Sequence, residues 1–135
     1  SLGSGGTDYT SSRTQLQGTI MPGECIVVGG PESSDDNANP VIDQAIRFSP
    51  NLQNSGNTAD AIALFDVPAA QIQEDTVPID AVVYGGSNEN GLVDEEGNVS
   101  EPHVGDVSGG ESIERNQDGW SAQSLPTPND CSTFE

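Results

Sequence analysis

The sequence predicts an all-β fold, and three features of the chain predict it. Apolar residues come in short β-branched runs, such as Cys25-Ile26-Val27-Val28 and Ala81-Val82-Val83, and not in helical stripes. The runs stop at Gly, Pro and Asn turn signals, and no stretch keeps a 3.6-residue period. Several short strands punctuated in this way describe a sandwich or barrel. With 135 residues the chain has room for one ordinary domain, so the expected organisation is a single domain over 1–135 with a long acidic loop insertion at 86–109.

Taken in order, residues 1–18 are rich in Ser, Gly and Thr and predict a strand end, a loop and a weak strand. Ile20-Met21-Pro22-Gly23-Glu24 is a Pro-Gly turn leading into Cys25–Val28, a β-branched run closed by Gly29-Gly30 that predicts a buried strand. Residues 31–45 are polar and acidic with two prolines, a loop, and Ile46-Arg47-Phe48 a short strand. Asn51 to Asn57 supplies turn chemistry, because Asn and Gly tolerate positive φ. From Ala59 to Phe65 the pattern alternates, with Ala61, Ala63 and Phe65 on one face and Ile62 and Leu64 on the other. Asp66–Pro78 reads as a connection and Ile79–Tyr84 as the next strand, stopped by Gly85-Gly86. Ser112–Arg115 is a further short strand, and Trp120 plugs the core ahead of an irregular tail.

Composition narrows the function. Twenty-two Asp and Glu face three Arg (Arg13, Arg47, Arg115), with no Lys, for a net charge of −19. That charge repels nucleic-acid phosphates and anionic membranes, so direct nucleic-acid binding and membrane insertion are not expected. It suits a solvated surface, or divalent-cation binding. Hydrophobic residues are 32% and aromatics 4% of the chain, so the core is small. Cys25 and Cys131 lie far apart with no CxxC pair and one His, so a structural zinc site is not expected. They are expected to be bonded to each other or individually buried, and two such cysteines in an acidic, Lys-free chain suit an oxidising compartment.

Five segments, in order, resemble the lamin tail domain of extracellular bacterial proteins. They are Ile20–Val28, Leu52–Asn57 with Ala61–Asp66, Ile79–Gly85, Gly110–Arg115, and Trp120 followed by Pro126-Thr127-Pro128. The resemblance implies an immunoglobulin-like β-sandwich with no catalysis and no cofactor. It also implies a structural or interaction module of a larger exported bacterial protein, placed outside the cell or on its surface. The family's opening strands have no counterpart here, and Ser1-Leu2 resembles the end of the third. A protein partner or a cleaved N-terminal fragment is therefore expected to complete the sheet.

No constellation for catalysis stands out. His103 lies in the acidic loop between Pro102 and Val104 with no Gly-x-Ser-x-Gly elbow, and reads as a loop His. Asp80, inside a strand, reads as structural, pointing outward or held by Arg115. The alternative function is a calcium-dependent adhesion or carbohydrate-binding module, with Glu89, Asp94, Glu95 and Glu96 as the calcium candidates. Neither acidic stretch follows the EF-hand order.

Overall fold

The structure, a computed structural model, describes residues 1–49, 51–52 and 56–132. Gln53, Asn54 and Ser55 of the expected turn lie outside the described residues. The described residues form eight β-strands and two short 3-10 turns, so the all-β expectation holds. The chain divides into two compact units, residues 1–16 with 48–106 and residues 17–47 with 107–135.

The first unit is built on a four-stranded antiparallel sheet. Its strands are β1 (Leu2–Gly5), β2 (Ser12–Thr14), β5 (Ala59–Leu64) and β6 (Asp80–Gly85), in the order β2-β1-β5-β6. β3 (Val28–Gly29) and β4 (Gln44–Ala45) belong to the second unit. The period of two in β5 acts as the sequence indicates: Ala59, Ala61, Ala63 and Phe65 are buried on one face. Ala81 and Val83 of β6 join them, and Tyr9, Ile72 and Leu92 close the core from the loops. The Tyr9 and Phe65 rings meet edge to face at 5.6 Å, a geometry that adds roughly 0.5–1.5 kcal/mol to their burial.

The Ser/Gly-rich start of the chain contributes more than the weak strand expected of it. β1 lies in the middle of the sheet, paired with β2 on one side and β5 on the other. Ser1 extends the ladder, its nitrogen donating to Phe65 O at 2.8 Å while Phe65 N donates back to Ser1 O at 2.9 Å. Glycine is required here for space. A Cβ on Gly3 would fall 2.6 Å from Tyr9 O, and one on Gly5 2.3 Å from Asp8 O, because residues 8–9 pass directly over β1. The missing side chains let that loop seal the core.

The second unit is organised differently. β3 (Val28–Gly29) and β4 (Gln44–Ala45) pair in parallel, and β7 (Ser112–Asn116) and β8 (Gly119–Gln123) form an antiparallel hairpin. Gly119 takes φ +114° at the hairpin turn, where Asp118 N donates to Asn116 Oδ1. None of this unit's described residues is buried. Three expectations therefore fail here. Cys25–Val28 is not a buried strand: Cys25 is exposed, and only Val28 pairs. Ile46–Phe48 is not a strand, the pairing falling two residues earlier at Gln44-Ala45. Trp120 is half-buried in β8 and not a core plug; its cross-strand partner Arg115 lies over the ring at 5.8 Å.

Covalent and side-chain links hold this unit. Cys25 and Cys131 form a disulfide, with Cα atoms 5.7 Å apart across 106 residues of sequence. The Asn129 carboxamide imitates a strand, donating to Val41 O and accepting from Val41 N, both at 2.8 Å. Gln44 does the same with Gln17, at 2.6 and 3.0 Å. Asp43 Oδ2 accepts from Val27 N at 2.8 Å, fixing the start of β3.

Candidate functional site

The acidic segment after β6 holds the chain's one His and the calcium candidates, and it is more than a solvated excursion. It starts on a close approach: a Cβ on Gly86 would lie 2.1 Å from Asn57 O, so only glycine lets Ser87 N donate to Asn57 O while Ser87 O accepts from Ala59 N. Leu92 turns back into the core at 2% exposure. The Asn88 carboxamide holds that turn, accepting from Leu92 N and donating to Leu92 O and Ser100 O at 2.6–2.9 Å. The Tyr9 hydroxyl donates to Val93 O at 2.6 Å. Burial first, then the Asp94 and Glu95 charges, pushes that phenol above its ordinary range.

The calcium candidates are spread through this segment. Asp94 Oδ1 accepts from Glu96 N and Asn98 N at 3.0 and 2.9 Å, closing the turn between the bridged Val93 and Val99. Glu89 Oε1 accepts from Ser87 Oγ at 3.1 Å. Among the described residues no three His, Cys, Asp or Glu side chains gather as metal ligands. Oδ1 of Asp94 is engaged with the backbone of its own turn.

His103 comes to rest against β6. Its backbone N donates to Val83 O at 2.7 Å, and Val83 N donates to its Nδ1 at 3.0 Å. Gly85 N continues the contact to Val104 O, so residues 103–104 cover part of the sheet edge. Nδ1 is thus the acceptor, and the proton of the neutral ring sits on Nε2. That nitrogen lies 3.3 Å from Ser100 Oγ, whose own proton goes to Glu101 O at 2.6 Å. A nucleophile–base pair needs the hydroxyl to donate to a free imidazole lone pair. Here the direction is reversed, and the imidazole serves as a strand cap.

The opposite face of the sheet carries a polar pair that sequence reasoning missed. Asp60 and Tyr84 are register partners across β5 and β6, 7% and 6% exposed. The Asp60 carboxylate lies against Gly6, where a Cβ would be 2.7 Å from Oδ1. The Asp106 carboxylate lies in the same way 2.8 Å from a Cβ on Gly85. Burial, then the charges of Asp60 and Asp106, pushes the Tyr84 hydroxyl up to about 12. At neutral pH the phenol therefore keeps its proton. An Asp inside an alternating apolar strand was the available signal. Among the described residues no buried side-chain nitrogen or oxygen lacks a partner.

Asp80 is half-buried at the start of β6, in register with Leu64. An open depression of about 490 Å³ is lined by Thr10, Arg13, Ile72, Gln73, Glu74 and Asp75. Arg13 Nη1 donates to Ile72 O at 3.0 Å and thereby ties β2 to the core loop. Compared with protein-family models, curated proteins and solved structures, the chain finds no match.

Proposed function

We infer that the chain is a non-catalytic structural or interaction module of a larger exported protein, with an immunoglobulin-like sandwich of the lamin-tail type. The observation that carries this reading is the Cys25–Cys131 disulfide, closing a unit in which no described residue is buried. Removing the loop-closure entropy of about a hundred residues from the unfolded chain contributes roughly 4–5 kcal/mol. A unit that leans on such a bond belongs where thiols oxidise, outside the cytosol. The lamin-tail reading draws support from two of the resembling segments, Ala61–Asp66 and Ile79–Gly85, which form neighbouring antiparallel strands. The absence of catalysis draws support from His103, whose acceptor nitrogen is occupied by Val83 N.

Two measurements test this. Protein recovered from its own cells should resist thiol labelling until reduced; recovery from the cytosol with both thiols free would refute export. Screens for ester and glycoside hydrolysis should show no turnover that depends on Ser100 or His103. Turnover lost in Ser100→Ala or His103→Gln would make the chain a hydrolase and refute the non-catalytic reading.

A further inference from the structure

We propose that Asn98 is an attachment site for an N-linked oligosaccharide, a reading that rests on the exported location argued above. Asn98-Val99-Ser100 is the one place where an Asn is followed two residues later by Ser or Thr, with a residue other than Pro between. The tripeptide alone recurs by chance, so the weight falls on where it lies.

Asn98 is exposed at the end of the Asp94–Asn98 turn, and Val99 beside it is 64% exposed. The turn is held without the Asn98 side chain. Asp94 Oδ1 takes the N–H groups of Glu96 and Asn98, Gly97 N donates to Asp94 O, and Asp94 N donates to Asn98 O. Among the described residues the Asn98 carboxamide makes no hydrogen bond. Those of Asn88, Asn90 and Asn129 are each bonded to backbone and needed by the fold. A substituent on the exposed Asn98 carboxamide leaves these turn bonds in place.

Ser100 fits the same account. Its hydroxyl is engaged with Glu101 O and His103 in the folded chain. A transferase would therefore read the tripeptide while the segment is extended during export, and the fold then accommodates the product. In the transfer, Asn98 Nδ2 bonds to the anomeric carbon of an oligosaccharide carried on a polyprenyl phosphate or diphosphate. The bond from that carbon to the phosphate oxygen breaks, and the lipid phosphate departs with its electron pair. One Nδ2 proton is lost through the transferase base, and nothing is oxidised or reduced.

The test is secretion of the full chain from a eukaryotic host that has an oligosaccharyltransferase, read by intact mass. Secreted protein should carry a glycan mass that peptide-N-glycosidase removes, leaving an aspartate at that position. The added mass should vanish in Asn98→Gln and persist in Ser100→Thr. Secreted, disulfide-closed protein without added mass would overturn the site and leave the export reading standing. Retention of both the native and Asn98→Gln chains in reduced form would overturn both.

Discussion

The two units of this chain reach order by different physics. The first buries Ala59, Ala61, Ala63, Phe65, Ile72, Ala81, Val83 and Leu92 against one sheet face. The second buries none of its described residues and relies on a disulfide, amide side chains that imitate backbone, and a hairpin. Apolar burial at roughly 25 cal/mol per Å² works without regard to redox state. A cross-link acts by limiting the unfolded chain, and it vanishes with a reductant. The comparison teaches that the stability of a small acidic chain can be divided between a core that ignores its compartment and a staple that depends on it.

Damage to the core alone should separate the two units most strongly. Phe65→Ala should destabilise the first unit by about 3–5 kcal/mol, the usual cost of removing a buried aromatic, while the disulfide stays closed. A calorimetric scan checks this, and a loss under about 1 kcal/mol would mean the core is not what holds that unit.

A smaller effect separates the units by pH. Both tyrosines, Tyr9 and Tyr84, lie in the first unit, and both are pushed upward by burial. A folded pKa above the unfolded one adds stability that is full below the unfolded value near 10 and is lost as pH rises through the folded value. For Tyr84 the window runs from about 10 to about 12, and a shift of that size is worth about 2–3 kcal/mol. Tyrosinate absorbance should therefore appear above pH 10 together with loss of the first unit's near-ultraviolet signal. Ordinary titration near 10 in the intact fold would contradict the burial of both rings.

The smallest effect belongs to the second unit. Asn129→Ala removes both bonds to Val41, which are exposed, and should cost about 1 kcal/mol. The loss should show as faster amide exchange at Val41 with no change in β5 or β6.

The same contrast explains what was legible in the sequence. β5 and β6 were readable because a half-buried strand writes a period of two into its side chains, as Ala61, Ala63 and Phe65 do. β1 was hidden because its contribution is the absence of side chains: Gly3 and Gly5 are selected by the carbonyls of Tyr9 and Asp8 passing above them. Ile72 and Leu92, lone apolar residues in polar loops, carry no period and enter the core only through tertiary contact. Cys25–Val28 misled because β-branched residues favour a strand without guaranteeing a second layer to bury it. At the site, Asp94 and His103 were visible as residue types, but their bonds to Asn98 N and Val83 N depend on register and loop path that composition does not encode.

The disulfide, and not a core, holds the second unit. Hydrogen exchange read by mass spectrometry, on the native chain before and after mild reduction, tests it most directly. On reduction, amides in 17–47 and 107–132 should lose protection, while Ala59–Leu64 and Asp80–Gly85 keep theirs. Protection that survives reduction throughout 17–47, or that collapses equally in β5 and β6, would contradict it.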